Sequence, residues 1–194
     1  MDTLINTTPD GDIKGHLEII KIFDDGREEV HFADENVITS GMGHTLLTAF
    51  STSGVGGIAD FQIVYFQLGE GGTLARQEFS SGILGDSLSL AQYGTPSFET
   101  DTHDYKYAAG SGTDVFGVIP FAYIKKITPT RVMYQIFMGT ETANEQTINE
   151  VGLWSRNPDQ ATPVEASYLC AYRFFTPLAK TDAFSVLFRW TIEF

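Results

Sequence analysis

The chain has 194 residues, with 12 basic and 25 acidic side chains and a formal charge of −13. Nucleic acids and anionic membranes bind proteins mainly through Lys and Arg, so this acidic balance argues against both as partners. The single cysteine, Cys170, excludes an internal disulfide and metal sites built on paired cysteines.

The length suits a single domain, and no apolar run approaches the roughly 18 residues of a membrane helix. Residues 1–12, MDTLINTTPDGD, lack the basic and apolar regions of a signal peptide and carry little that could pack. We expect a protein made in the cytoplasm, with an extended arm over 1–12 and one domain over 13–194.

The first predicted element is a β-hairpin. Residues 13–23 and 27–32 are rich in β-branched and aromatic side chains, and they flank the turn sequence Asp24-Asp25-Gly26.

A short helix is predicted next. Ser40 is suited to cap its start, and Leu46, Leu47 and Phe50 would share one of its faces. We expect this helix to cover one edge or end of a sheet.

Residues 61–68, FQIVYFQL, form a continuous apolar segment that favours a buried strand. The following range, 70–112, is rich in Gly, Ser, Thr and acidic residues, and this composition predicts a long loop insertion. Further strands are predicted at the segments 115–127, 131–138, 147–157, 167–175 and 183–194.

The last segment has the clearest pattern. Residues 184, 186, 188, 190, 192 and 194 are all apolar and alternate with mainly polar ones, as in a half-buried strand. About eight strands joined by turns predict an all-β fold, an antiparallel β-sandwich of jelly-roll type.

The sequence ILGDSLSL (83–90) contains the GDSL letters of an esterase family, which makes Ser87 a candidate nucleophile. A serine nucleophile needs a base within reach and donors for the oxyanion. The family's later Gly-x-Asn-Asp and Asp-x-x-His blocks are absent, and no histidine follows His103. We therefore interpret Ser87 as a turn residue and expect no catalytic site.

Other candidate sites are weak. Gly41-Met42-Gly43 and Gly69-Glu70-Gly71-Gly72 lack the continuation of a phosphate loop, so caps and turns explain them better. Asp101-Thr102-His103-Asp104 and Asp24-Asp25 lack EF-hand spacing.

His16 and His31 are expected to face each other across the first hairpin as a polar pair rather than a zinc site. Cys170, which alternates with aromatic residues, is expected to be an inert core thiol. We predict no metal and no cofactor.

A set of short motifs follows in a fixed order: NVITSGMG (36–43) before Leu46-Leu47, FQLGEG (66–71), INEVGLW (148–154), YLCAYRF (168–174) and WTIEF (190–194). This order resembles a pattern recurrent in virion proteins of tailed bacteriophages, among them tail-collar fibre, tail-associated and capsid-surface subunits. The resemblance covers roughly residues 36–194.

Within these motifs, Glu150 shares a strand face with Gly152. A buried Glu150 would need a partner, for which Arg173 and Arg189 are the candidates. Gly152 would let Trp154 or Trp190 lie close against the backbone.

The resemblance implies a non-enzymatic structural subunit of the virion, made in the host bacterial cytoplasm. It would assemble as a homo-oligomer, a trimer or larger, and dock on other virion proteins in the tail, neck or fibre-attachment region. A capsid decoration (cement) protein is the main alternative. A glycan-binding jelly-roll module, with Tyr93, Tyr105 or Tyr107 stacking on sugars, and an esterase or glycosidase are the others.

Overall fold

The computed structural model describes residues 13–51, 62–69, 72, 107–109, 115–119, 121–141, 143–155 and 169–194. The strands in these ranges are β1 (Lys14–Phe23), β2 (Glu28–Ile38), β3 (Ile63–Gly69), β4 (Tyr107–Ala109), β5 (Val115–Val118), β6 (Ile124–Thr128), β7 (Arg131–Met138), β8 (Thr147–Ser155), β9 (Leu169–Ala179) and β10 (Phe184–Glu193). An α-helix, α1, spans Ser40–Ser51, and a short 3-10 helix spans Phe121–Tyr123.

All ten strands belong to one curled sheet in the order β4-β5-β3-β8-β9-β2-β1-β10-β7-β6. Every neighbouring pair is antiparallel. The prediction of an all-β antiparallel fold with one α-helix is therefore confirmed. A single continuous strand order does not confirm the sandwich or jelly-roll part of it, and the arm over 1–12 lies outside the described residues.

Strand β2 joins two halves of this sheet. It pairs with β1 along most of its length, and then with β9 only through Val37 and Ile38, whose partners are Tyr172 and Ala171. We call β2, β1, β10, β7 and β6 half A, and β9, β8, β3, β5 and β4 half B. The predicted hairpin is confirmed, although β2 continues past residue 32 to form this joint.

Half A has one buried face and one solvent-facing face. The predicted alternation in β10 is confirmed, because its even-numbered side chains from Phe184 to Ile192 are buried and the intervening ones are half-buried. Phe194 follows the end of the strand, and there the alternation stops: its side chain is exposed.

In half B, strands β3 and β8 are covered on both faces. In β8, Ile148, Val151 and Leu153 join the main core, which also contains the inner side chains of half A. On the other side, Trp154 packs in a second cluster with Tyr65, Leu169 and Tyr172. A strand buried on both faces has a nearly continuous apolar sequence, as β3 does, whereas β8 also contains the polar residues Asn149 and Glu150.

Helix α1 packs on β9, and Met42 and Leu46 contact the main core. Leu47, predicted on the buried face, is exposed instead, because consecutive helical residues lie about 100° apart. The side chain of Phe50 lies outside the described residues.

The predicted strand over 115–127 is wrong as a single element. Its first part is β5 in half B and its last part is β6, at the far edge of half A. The sequence has a proline at position 120 between them, and proline cannot donate to a ladder. Within the predicted loop insertion over 70–112, the structure describes Gly72 and residues 107–109, and the latter form β4 rather than a loop.

The start of β1 depends on a glycine. Asn36 of β2 lies opposite Gly15, and its Oδ1 accepts a hydrogen bond of 2.7 Å from Nε1 of the fully buried Trp190. A Cβ added at Gly15 would overlap the Asn36 amide, so the amide can cross β1 only because residue 15 has no side chain.

We predict that Gly15→Ala lowers the free energy of unfolding by about 2–4 kcal/mol, the sum of overpacking and the lost hydrogen bond to a buried donor. Urea unfolding followed by tryptophan fluorescence measures the change. Gly43→Ala is the matched control: no described atom lies near its added Cβ, and alanine favours the helix, so a gain of roughly 0.5–1 kcal/mol is expected. Equal effects of the two substitutions would contradict the role given to Gly15.

Candidate functional site

Several predicted candidates lie outside the described residues, and the structure does not test them. They are Ser87, Asp101, Thr102, His103, Asp104, Tyr93 and Tyr105, together with the side chain of Tyr107.

The predicted cross-strand pair of His16 and His31 is wrong. His16 lies opposite Glu35, whereas His31 falls at a bulge in β2 and its Nε2 is 2.9 Å from the carbonyl oxygen of Thr176. His31 lies four residues nearer the turn than Glu35, so the two histidines are too far apart along the hairpin to pair in this register. In the described part of the chain, no group of three or more His, Cys, Asp or Glu side chains is arranged to hold a metal ion.

Cys170 is fully buried beneath α1, as predicted for a core thiol. Its sulfur lies 3.4 Å from the Thr45 hydroxyl, which is 3.1 Å from the Ser155 hydroxyl. Burial raises the pKa of the thiol to about 11, although hydrogen bonds from Thr45 and Ser155 oppose the shift. A thiol of this kind stays protonated and unreactive at neutral pH.

Arg173 and Arg189 were the predicted partners of Glu150, but both pair with other carboxylates. Arg173 pairs with Asp34 at 2.6 Å, and Arg189 pairs with Glu18 at 3.0 Å. The fully buried Glu150 instead accepts a hydrogen bond of 2.6 Å from the hydroxyl of Tyr172. The register explains the error for Arg173, which lies opposite Val151 rather than Glu150.

Gly152 lies between Gln67 of β3 and Tyr172 of β9 in the register. Gln67 is fully buried, and its amide makes no hydrogen bond with the described residues. The prediction that Gly152 makes room for Trp190 is wrong, because Trp190 lies in half A beside Asn36.

Lys180 is a buried cation that holds the loop between β7 and β8. Its Nζ donates to the Thr181 carbonyl at 2.6 Å, the Asn144 side-chain oxygen at 3.1 Å and the Thr140 carbonyl at 3.3 Å. Ala143 and Glu145 in this loop have φ of 56° and 67°. Such angles are strained for residues with side chains, so the loop needs this anchoring.

The solvent-facing side of half A has a cleft of about 360 Å³ lined by side chains of both charges. The Arg131–Glu193 ion pair of 2.6 Å closes part of it, and Lys14, His16 and Glu35 line the rest. Neither sign of charge dominates, so the cleft does not select a charged ligand.

The outer edge of β6 has the features of a docking surface. Lys125, Lys126 and Ile127 are exposed, Ile127 by 48%, and Phe121 in the preceding 3-10 helix is exposed by 78%. No strand pairs with this side of β6 in the described part of the chain. We call these four residues the β6 edge. Lys125 and Lys126 could have indicated an edge strand from the sequence alone, since lysines are common on edge strands. The prediction instead placed them inside one long strand over 115–127.

The opposite end of half A is acidic. Glu28, Glu29 and Val30 are exposed, Val30 by 62%, and they lie at the end of β2 away from its joint with β9. We call these three residues the β2 edge.

The basic residues of the β6 edge are distinctive in this acidic chain. Ion pairs involve five of the nine described basic side chains: Lys21, Arg27, Arg131, Arg173 and Arg189. Lys180 is buried, which leaves Lys14 and the two lysines of the β6 edge without an ion pair to a described residue. Positive charge is therefore available at the β6 edge for an acidic partner.

We predict that Tyr172→Phe lowers the free energy of unfolding by about 1.5–3 kcal/mol, because it removes a donor to the buried Glu150. Tyr134→Phe is the control, since the Tyr134 side chain is also buried but its hydroxyl makes no hydrogen bond with the described residues. Chemical denaturation of both variants measures the difference. If Tyr134→Phe costs as much as Tyr172→Phe, the bond to Glu150 adds nothing to stability.

Burial lowers the pKa of Lys180 to about 8 from 10.5, although the charges of Asp182 and Glu141 oppose the shift. Between these two values the unfolded chain binds more protons at this residue than the folded chain does, so Lys180 makes stability rise with pH across that window. We predict that this rise is present in the wild type and absent in Lys180→Met.

The measurement is the difference in unfolding free energy between the two proteins at pH 7.5, 9 and 10.5. The raised pKa values of Cys170 and Tyr134 affect both proteins and cancel in the difference. A difference that does not change with pH would contradict the prediction.

Within the described residues, no helix is long and apolar enough to cross a membrane. The chain matches no protein-family model, no curated protein and no solved structure.

Proposed function

We propose that the chain is a non-enzymatic structural subunit of a tailed-bacteriophage virion that works by self-association and by docking on other virion proteins. Its motif order resembles that of such virion proteins. The single structural observation that supports self-association is the β6 edge, an exposed strand edge that carries large apolar side chains.

Exposed apolar side chains support an assembly surface only when they gather at one place. Phe121 precedes β6 and Ile127 is near its end. Phe194 lies beside the following turn, because its backbone N–H donates to the Thr130 carbonyl at 2.9 Å. Exposed apolar side chains therefore lie just before β6 and near its end, next to backbone groups that a further strand can pair with, and Phe194 adds exposed apolar surface at the turn that follows.

Within this proposal, the tail, neck or fibre-attachment region is the first location and a capsid decoration protein is the alternative. The acidic arm over 1–12 would lie on a neighbouring subunit and become ordered on binding. A glycan-binding role rests on Tyr93, Tyr105 and Tyr107, whose side chains lie outside the described residues, and we do not propose it.

We predict that the purified chain forms a trimer or a larger oligomer, and that Phe121→Ser with Ile127→Ser converts it to monomers. Light scattering coupled to gel filtration measures the mass. Leu47→Ser is the matched control, because Leu47 is exposed by 63% but lies on α1. A wild-type chain that stays monomeric at all concentrations would overturn the proposal.

The same measurement on a chain without residues 1–12 separates the two locations. An oligomer that survives removal of the arm supports a decoration protein held by its β-sheet surfaces. An oligomer that dissociates without the arm supports a tail or neck subunit that assembles through arm exchange.

A further inference from the structure

We infer that the partner of the β6 edge is the β2 edge of a second copy of this chain, joined to it in parallel so that the copies form a head-to-tail series. This inference rests on the proposed self-association and specifies its geometry.

The strand topology fixes the relative direction of the two edges. Half A runs β2-β1-β10-β7-β6, and each of its four neighbouring pairs is antiparallel. Four reversals restore the original direction, so β2 and β6 point the same way. A head-to-tail copy, generated by rotation about an axis along the strands, keeps that direction and places its β2 parallel to the first copy's β6.

The sequences of the two edges complement each other in this direction. Lys125-Lys126-Ile127 meets Glu28-Glu29-Val30 in parallel, so that each lysine lies beside a glutamate and the exposed isoleucine lies beside the exposed valine. The antiparallel arrangement of the same segments would place Lys125 beside Val30.

The faces of the sheet agree with the parallel register. Lys125 lies opposite Met133 and Glu28 opposite Ile22, both on the solvent-facing side of half A. Lys126 lies opposite Val132, on the side of the buried Ile192. Glu29 lies opposite Lys21, on that same side.

An antiparallel match of Lys125 to Glu29 and Lys126 to Glu28 would require the second copy to be turned over, so that its core-facing side continues the solvent-facing side of the first copy. The parallel register is therefore the one that forms both charge pairs while the two copies keep their core-facing sides on the same side of the joined sheet.

The charges are available for this contact. Lys125, Lys126 and Glu28 have no ion pair to a described residue, and Glu29 is paired only at the surface, with Lys21 and Arg27. Each copy has both edges, so every subunit contacts two neighbours. A heterologous contact of this kind closes into a ring if its rotation divides a full turn.

A charge swap tests the pairing with the full-length chain. Lys125→Glu alone and Glu28→Lys alone each place like charges at the interface, and each should raise the dissociation constant of the oligomer roughly three- to tenfold. The double variant Lys125→Glu with Glu28→Lys restores opposite charges and should recover the wild-type mass. Lys14→Glu, which alters another exposed lysine that has no ion pair to a described residue, is the control and should leave the mass unchanged.

The outcomes separate the inference from the proposed function. If neither single variant raises the dissociation constant, or if the double variant fails to restore the wild-type value, the pairing of these edges is overturned while self-association stands. If the wild type is itself monomeric, the proposed function fails as well. Unfolding midpoints of all variants verify that each one is folded.

A cysteine pair tests the register directly. Val30→Cys with Ile127→Cys should give a ladder of disulfide-linked chains under mild oxidation, whereas Val30→Cys with Lys125→Cys should give several-fold less. Bonds within one chain are excluded because the two edges lie four strand spacings apart, roughly 19 Å along the sheet. Cys170 is fully buried and does not interfere. More cross-linking through position 125 than through position 127 would overturn the parallel register.

Discussion

The short joint between β2 and β9 holds the two halves of the sheet together. Its backbone pairing consists of Val37 with Tyr172 and Ile38 with Ala171, and the Thr39 N–H extends it by bonding to the Cys170 carbonyl at 3.1 Å. So few backbone hydrogen bonds would not hold the two halves of the sheet together by themselves. The joint works because the inner side chains of both halves form one core, which neither half could bury alone.

The joint also explains why one side of β2 is largely unpaired: the backbone of β9 pairs with β2 only at Val37 and Ile38. Beyond Val37, β9 contacts β2 through side chains: Arg173 pairs with Asp34, His31 approaches Thr176, and Phe32 packs on Phe175. These contacts extend along β2 as far as His31 and leave the Glu28–Val30 end exposed. The strand that connects the two halves therefore also presents an exposed acidic surface at the end away from the joint.

Sequence patterns predicted the elements well where one physical signal dominated. The alternation in β10 and the glycine turn between β1 and β2 both correspond to what forms, since burial of one face and a residue at positive φ leave few alternatives. Predictions of specific partners failed more often. His16 faces Glu35 rather than His31, and Arg173 and Arg189 pair with Asp34 and Glu18 rather than with Glu150, because partners depend on register, which a single strand's sequence does not contain.

The exposed edges were the hardest part to foresee. Lys125 and Lys126 belong to a segment that was predicted to be one strand, and the break between β5 and β6 sends its two parts to opposite ends of the sheet order. Strand order comes from long-range pairing, so nothing local in the sequence distinguishes an edge strand from a central one beyond its lysines.

The joint at β2 has a mechanical consequence. The backbone of β2 continues from the ladder with β1 into the ladder with β9, so a pull along this strand is carried by covalent bonds. Bending about this line strains two ladder pairs and the side-chain contacts beside them, whereas bending at the β2–β1, β1–β10 or β10–β7 ladder of half A strains eight to ten pairs. A change in the curvature of the sheet would therefore concentrate at this line, while the strand ladders on either side keep their registers.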